Sequence, residues 1–498
     1  MPFKKILIAN RGEIACRVIR TCREMGLKTV AVYSDADRAA LHVRRADEAW
    51  YLGPAPSRES YLVIEKILEV ARESRADAIH PGYGFLSENP EFARACERAG
   101  VTLVGPPASA MEAMGEKTRA RDEMRRAGVP VVPGSPGPVA SEEEALRQAK
   151  EMGLPVMVKA AAGGGGKGMR KVERLEDFVG AFRAATGEAK SAFGDPRVYL
   201  EKFLERPRHV EVQVFADGHG RCIHLGEREC SVQRRHQKVI EETPSPVVTP
   251  EMRARMGAVA VKAAKAVGYV GAGTVEFLVD ASRSFFFLEM NTRLQVEHPI
   301  TEWVTGTDLV RWQIEVAQGA PLPVDEPILQ RGHAIEARVY AEDPARDFMP
   351  CAGRIEGLST PGGPWVRDDG GVYAGFEVPI YYDPMISKVS AWAPDRAQAI
   401  ARLKRALSEY VVKGIPTNLG WLQVALANPE FASGDYDTGF AQRRAQELRG
   451  VPDEEAQRMA AIASVVWLRT KRRDKPAVAP RARSRWRDLG RARALRRG

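Results

Sequence analysis

Five side chains able to handle charge recur at alternate positions in the stretch EMNTRLQVEHP, residues 289–299: Glu289, Asn291, Arg293, Gln295 and Glu297. The intervening Met290, Thr292, Leu294 and Val296 are mostly apolar. In a strand, a period of two sends the odd set to one face. Just upstream, FFFL (285–288) is as buried-looking a run as the chain contains, and GTVEFLVD–ASRS–FFFLEMN reads as a hairpin turning near Ser282–Arg283. That hairpin sets Glu276 opposite Glu289, about 5 Å apart, where two carboxylates repel by about 3 kcal/mol at an effective dielectric near 20. A shared proton relieves this, as does a register slip or a bound hard cation. Oxygen ligands suit Mg²⁺, which takes one or two carboxylates and completes its shell with phosphate oxygens. Asn291 adds a ligand or orients one. Arg293 offers a planar fork to a small oxyanion, and Glu297 beside His298 is a candidate general base. The row thus runs from metal-bound phosphate to a second, anionic substrate, as a phosphoryl transfer requires.

A second stretch, GGGGKG (163–168), formally fits the dinucleotide fingerprint, but the residues that follow, MRKV, are strand-like where that fingerprint needs a helix. Walker A fails too, because position 161 is Ala and Lys167 is followed by Gly. What remains is a glycine flap between two strands, with backbone N–H groups able to close over phosphates. Lys159 ends the strand before the flap, and an ammonium beside buried LPVMV wants an anionic partner. Lys117, in MGEKTRAR, is a second candidate for phosphate.

The elements that must position these groups follow from hydrophobic periodicity. KILIAN (5–10) is a buried strand, followed by a helix with Ile14, Val18, Cys22 and Met25 on one face. The strand KTVAVYS, a helical pattern in SYLVIEKILEVARES and the strand ADAIHPG come next, an alternation that predicts a parallel sheet over about 1–105. A second unit spans about 131–203, with a helix near 175–191. Antiparallel pieces RHVEVQVF and RCIHLGE follow, and a mixed region from 331 to 447 ends in the helical AIARLKRALSEY. Beyond Gly450, Met459, Ile462, Ala463, Val466 and Trp467 share one helical face, with acidic residues in the first turn and basic ones in the last.

Composition bounds the rest. The chain has 498 residues, 44% hydrophobic and 28% charged, which suits a globular protein of about three domains. The formal charge of +9 is a property of the tail: residues 469–498 hold 13 Lys/Arg and two Asp, leaving 61 basic against 63 acidic residues in 1–468. Such a tail reads as a solubilising end or as an attractor of polyanions. The six cysteines show neither metal-type spacing nor a disulfide framework, and no signal-peptide layout or long apolar run is visible. Both point to a cytoplasmic protein without a membrane span.

The motifs KILIANRGEIACRVIR, HPGYGFLSEN, GGGGKGM, EKFLERPRHVEVQV, ECSVQRRHQKVIEE, GAGTVEF, EMNTRLQVEHP and RGHAIEARVYAEDP, taken in order over about 1–447, resemble the biotin carboxylase component of the biotin-dependent carboxylases, in the ATP-grasp superfamily. The resemblance implies an α/β and α+β protein. A Rossmann-like N-terminal domain would occupy 1–114 and an ATP-grasp domain 115–330, with a mobile lid at about 131–203. A mixed C-terminal domain would occupy 331–447, and a helical extension with an Arg-rich tail 448–498. It implies an ATP-dependent ligase in which ATP phosphorylates bicarbonate to carboxyphosphate, whose CO₂ is captured by biotin. Carried over by motif, Lys117, Lys159 and Gly163, Gly164, Gly165 and Gly166 would hold ATP phosphates. Glu201, Lys202 and Leu204 would bind adenine with main-chain help, and His209, Gln233 and His236 would surround ribose and phosphates. Glu276 and Glu289, supported by Asn291, would bind Mg²⁺ or Mn²⁺. Lys238, Arg293, Gln295 and Val296 would hold bicarbonate, Glu297 would deprotonate it, and Arg338 would stabilise the biotin enolate.

Ala162 and Lys167 depart from the family's flap, where glycine and often arginine are expected. No Ala-Met-Lys-Met-like biotinylation site occurs, so biotin is expected on a separate carrier protein, with a separate carboxyltransferase. The family's usual homodimer places contacts near Arg17, Arg20 and Glu24. Two other readings stay open: a different ATP-grasp ligase joining a carboxylate to an amine, and a non-catalytic assembly or nucleic-acid-binding protein acting through its tail.

Overall fold

The computed structural model describes residues 2–139, 141–161, 168–324, 328–448 and 454–473. The chain forms two compact units, residues 1–449 and 450–498.

The N-terminal alternation produces the expected parallel sheet, with strands in the order Glu48–Gly53, Lys28–Ser34, Lys5–Ile8, Ala78–His80 and Thr102–Leu103. Its three inner strands are largely apolar on both sides because both faces are covered. Ile6 and Ile8 pack with Ile14, Val18 and Cys22 of the helix Gly12–Glu24. Leu7 and Ile79 pack on the other face, with Ile67 and Val70 of Ile64–Ser74.

A separate three-stranded antiparallel sheet, Met169–Val172, Val156–Ala160 and Val198–Lys202, is backed by Glu142–Met152 and Leu175–Phe193. Its own core contains Val156, Val158, Phe178, Phe182 and Leu200. The glycine run lies between its first two strands, but residues 162–167 fall outside the described residues, and with them the departures at Ala162 and Lys167.

The main scaffold is an eight-stranded sheet in the order Phe285–Asn291, Gly271–Val279, Arg208–Ala216, Cys222–Arg234, Gln237–Thr243, His333–Tyr340, Met385–Ala393 and Val366–Gly370. It runs without a break across residue 330, where Ile240 pairs with Ala337. Val210, Val212, Val275 and Phe277 pack on one side with Met252 and Met256 of the helix Pro250–Ala266, an element that sequence periodicity did not reveal. The opposite side carries His209, Glu211, Gln213 and Glu276, all buried. Sheet alternation therefore builds an apolar core and a polar layer from the same strands.

The hairpin closes through Asp280 and Ser284, with Arg283 at φ 63°, and pairs Glu276 with Glu289 as expected. The route differs from simple counting. Phe277 pairs with Phe287, so Leu288 is an extra residue, a β-bulge. Leu288 and Glu289 consequently both line the same cavity, while Phe285, Phe287 and Met290 enter the core. FFFL is thus not uniformly buried: Phe286 and Leu288 are only half-buried.

The second unit contains the helix Glu454–Arg473. Ile462, Val465, Val466, Trp467 and Leu468 are exposed on it, and the side chain of Met459 lies outside the described residues. Among the described residues, no helix is long and apolar enough to cross a membrane, and the six cysteines are free thiols.

Candidate active site

The polar face of the large sheet converges on one ammonium group. Lys238 Nζ lies 2.9 Å from Glu276 and 2.7 Å from Glu297, and it also donates to Glu211. Burial alone would depress this lysine, but the three carboxylates outweigh it and raise it well above its ordinary value. Arg228, fully buried, supports the cluster from below: its Nε donates to Glu211 at 2.6 Å and its Nη1 to Gln213 at 2.7 Å.

Glu276 is held from four sides. Besides Lys238, it meets His209 Nε2, Asn291 Nδ2 and Gln295 Nε2, each at 2.8 Å. Burial pushes its carboxyl up, yet Lys238 and His209 prevail and hold it well below the usual carboxylate range. The repulsion inferred for the Glu276–Glu289 pair is thus relieved by cations from strands outside the hairpin, which sequence spacing within the hairpin could not reveal. Two further trios, His209–Glu211–Glu276 and Glu211–Cys230–Glu297, bring ligand atoms within 4.8 Å of one another. Lys238 contacts Glu211 in both, Glu276 in the first and Glu297 in the second, so an ammonium already supplies their positive charge.

Past Asn291 the strand ends, which corrects the reading of 289–297 as one continuous alternating row. Its ladder with Gly271–Val279 ends at Thr274 opposite Asn291, although that neighbour continues to Gly271. Instead, Glu88 accepts from the Thr292 backbone N–H at 2.9 Å and from Arg293 Nε at 2.8 Å, turning the chain. Glu297 then precedes the helix His298–Thr305, whose first turn holds Pro299. The odd residues still converge, carried by a loop and a helix start. Arg293 Nη2 donates to Asn291 Oδ1 at 3.0 Å, and Glu297 meets Arg338 Nη2 at 3.0 Å as well as Lys238. Burial raises the Glu297 carboxyl, but Lys238, Arg338 and Arg228 together hold it well below its ordinary value.

A cavity of about 530 Å³ is lined by 13 of the sequence-selected residues: Lys159, His209, Gln233, His236, Lys238, Glu276, Glu289, Asn291, Arg293, Gln295, Val296, Glu297 and Arg338. Met169, Leu278 and Leu288 supply apolar wall. A second cavity, about 470 Å³ and walled by Tyr83, Phe85, Tyr381 and Tyr382, shares Arg293, Val296, Arg338, Tyr340 and Asp383 with the first.

Glu201, Lys202 and Leu204 do not line either cavity. The Glu201 carboxylate takes Arg121 Nη1 at 2.5 Å and the Lys159 ammonium, which is the anionic partner expected for Lys159. Lys202 Nζ donates to the Gly153 and Leu154 carbonyls at 2.9 and 3.1 Å. Leu204 is half-buried just past that strand. Lys117 begins the helix Lys117–Arg126, its side chain outside the described residues, as are Gly163–Gly166. The sequence reading missed Glu88, Glu211, Arg228, Glu241 and Tyr340. For Glu211 and Glu241 a signal existed: acids set among valines and isoleucines in strand-like runs, at positions that prove fully buried.

The chain matches "Biotin carboxylase, N-terminal domain" over residues 2–111, "Carbamoyl-phosphate synthase L chain, ATP binding domain" over 116–325 and "Biotin carboxylase C-terminal domain" over 336–443. It is 54% identical over 443 residues to a biotin carboxylase of Nostoc, covering 89% of this chain and 99% of that protein. It is likewise 54% identical over 442 residues to biotin carboxylase 1 of Bacillus subtilis, covering 88% of this chain and 98% of the relative. Among solved structures, the biotin carboxylase domain dimer of the Hydrogenobacter thermophilus 2-oxoglutarate carboxylase, in complex with MgADP, ADP and bicarbonate, superposes with a TM-score of 0.85. That pair is 46% identical and covers 91% of this chain and all of the other. The lysine hub, the paired glutamates and the match along nearly the whole folded body agree: the chain belongs to the biotin carboxylase family, ATP-dependent enzymes of the ATP-grasp fold.

Proposed function

We propose that the larger cavity takes ATP and bicarbonate and the smaller one the ureido ring of biotin, so that the enzyme carboxylates biotin on a separate carrier protein. The observation that carries this reading is the Lys238 hub, which ties the Glu276 end of the cavity to the Glu297–Arg338 end where the two cavities meet. In this reading Lys117, Lys159, His209, Gln233, His236 and the flap Gly163–Gly166 hold the nucleotide. Backbone around Glu201–Leu204 meets the adenine, and Met169, Leu278 and Leu288 provide its apolar bed. The domains divide at 1–114, 115–330 and 331–447, with the three-stranded unit within about 131–203 acting as the lid. The remaining 448–498 forms the extension.

The donor set at Glu276, Glu289 and Asn291 is all hard oxygen apart from one amide nitrogen, which fits Mg²⁺ or Mn²⁺. Such an ion, when bound, neutralises developing charge on ATP phosphates. Asn291 donates to Glu276 and accepts from Arg293, so it acts by orienting the acid beside it.

Bicarbonate seated against Lys238, Arg293, Gln295 and Val296 competes with Glu297 for Lys238 and Arg338. Once those cations turn to the substrate, burial dominates and Glu297 gains proton affinity at the moment it must act as base. The deprotonated bicarbonate oxygen attacks the γ-phosphorus, ADP leaves, and carboxyphosphate decomposes to CO₂ and phosphate. Phosphate takes the biotin N1′ proton, and Arg338 faces the enolate oxygen while N1′ captures CO₂.

The test is ATP cleavage that requires bicarbonate and rises with free biotin. ATP cleavage driven by an amine instead would identify the other ligase chemistry. Glu289→Ala is expected to raise the Mg²⁺ concentration needed for half-maximal ATP use by about tenfold or more, the lower end for losing one charged contact; titration of initial rates against Mg²⁺ at fixed ATP reads it, and an unchanged metal dependence removes Glu289 from the ion's shell. The family's carrier protein and carboxyltransferase, and a homodimer through the Arg17, Arg20 and Glu24 face, are the partners this reading implies. Arg17 there already bridges Glu302 and Asp308, each at 2.8 Å.

A further inference from the structure

Directly beneath Arg338 lies a carboxyl pair to which the proposed chemistry gives no part. Glu241 and Glu336 are cross-strand partners on Gln237–Thr243 and His333–Tyr340, and both are fully buried. Directly opposed residues of such a ladder lie about 5 Å apart. Glu241 Oε1 accepts from Arg338 Nε at 2.6 Å. Its Oε2 and both carboxyl oxygens of Glu336 have no hydrogen-bond partner among the described residues. Lys388, in register with Arg338, is committed elsewhere: its Nζ donates to the Val296 carbonyl at 2.6 Å and lies 3.3 Å from Glu13.

A buried carboxylate without a partner costs several kcal/mol and takes up a proton instead. Two facing carboxyls then divide the roles, one acid and one anion. Burial pushes Glu241 up to about 7, with Arg338 drawing it back. Burial also pushes Glu336 up, well beyond the usual carboxylate range, Lys388 and Arg338 opposing this and Glu241 and Asp369 adding to it. Glu297 and Lys238 are the other charged groups acting on Glu241. The guanidinium contact marks Glu241 as the member that keeps its charge.

We propose that Glu241 and Glu336 form the positioning pair of Arg338: Glu336 holds one proton and directs its O–H to Glu241 Oε2, and Glu241, anionic through its other oxygen, fixes the guanidinium toward biotin. The pair then adds one negative charge, rather than two, to the one Arg338 already meets in Glu297, so the guanidinium is aimed without a third carboxylate crowding it. The biotin-facing half of this inference rests on the proposed function; the shared proton does not.

Infrared difference spectra of wild type minus Glu336→Gln at neutral pH should contain the C=O stretch of a protonated carboxylic acid, shifting in D₂O. Glu336→Gln, whose amide replaces the O–H donor, should keep biotin carboxylation within about threefold. Glu241→Gln should lower kcat for biotin about tenfold or more, the cost of one hydrogen bond to a charged group, while bicarbonate-dependent ATP cleavage without biotin stays within about threefold. An absent acid band overturns the proposal, as does a Glu336→Gln loss matching that of Glu241→Gln, or a Glu241→Gln loss spread equally over both activities. Should Glu336→Gln not fold, Glu241→Gln alone suffices, because removing the acceptor must shift the Glu336 band and an unmoved band overturns the pairing. If wild type cleaves no ATP with bicarbonate, the functional reading fails while the infrared result still judges the proton.

Discussion

Glu297→Gln is expected to lower biotin carboxylation by about 10²–10⁴-fold, the range typical of a positioned general base, while ATP affinity changes little. The substitution is isosteric, so Lys238 and Arg338 keep a neighbour of the same shape. What disappears is, among the described residues, the only cavity-lining carboxylate that touches both cations, and with it the proposed acceptor for the bicarbonate proton. Steady-state carboxylation rates set beside calorimetric ATP binding read the two effects separately. Turnover near the wild-type rate would transfer the base role to another group, and an equal loss of ATP affinity would recast Glu297 as a nucleotide contact.

Lys238→Met should be the more damaging change overall. Its ammonium serves Glu211, Glu276 and Glu297 together, so removing it strands three buried carboxyls at once. Breaking a buried ion pair from one side costs about 3–5 kcal/mol; here Arg228, Arg338 and His209 remain as partial compensation. Carboxylation should fall below detection if, as proposed, Lys238 holds bicarbonate. The pH dependence supplies an independent signature. In the wild type, Glu276 and Glu297 titrate well below their unfolded values, so their stabilisation is present above about pH 4.3 and lost as pH falls toward the folded values. In the variant, the stranded carboxyls rise above their unfolded values, the native state binds more protons, and stability falls as pH rises from about 4.3 toward the raised folded values. Between mildly acidic and neutral pH these groups should therefore leave the wild-type melting midpoint level and lower that of the variant as pH rises. Parallel slopes would mean that Lys238 does not govern these groups.

Much of this site could be read before any coordinates. The parallel N-terminal sheet followed from strands and helices whose apolar periods are unambiguous, and the Glu276–Glu289 pair from a hairpin whose turn residues are plain. What stayed hidden depends on contacts between segments far apart in the chain. Nothing local announces that Glu88 takes Arg293 from 205 residues away, or that Lys238 crosses from its own strand to Glu276 and Glu297. The loop after Asn291 was misread for a related reason: alternation in composition persists there, but Glu88, distant in the chain, draws Thr292 and Arg293 off the sheet while the neighbouring strand runs on through Gly273. Of the Arg228–Glu211 pair, Glu211 sits inside a recognised motif and Arg228 one residue ahead of another, and neither position by itself says that the side chain points inward.

The extra residue at Leu288 bears on how this segment can change over generations. Because two consecutive side chains face the larger cavity there, loss of one codon at 288 would retain the acid but forfeit its apolar neighbour. Gain of one codon in a regular strand would instead turn the acid inward among Phe277, Phe285 and Phe287. Length change in this hairpin should therefore be easiest in the turn at 280–284, while among the four residues before Thr292 a lost codon at 288 costs only the apolar neighbour and a gained one reverses the face of the acid.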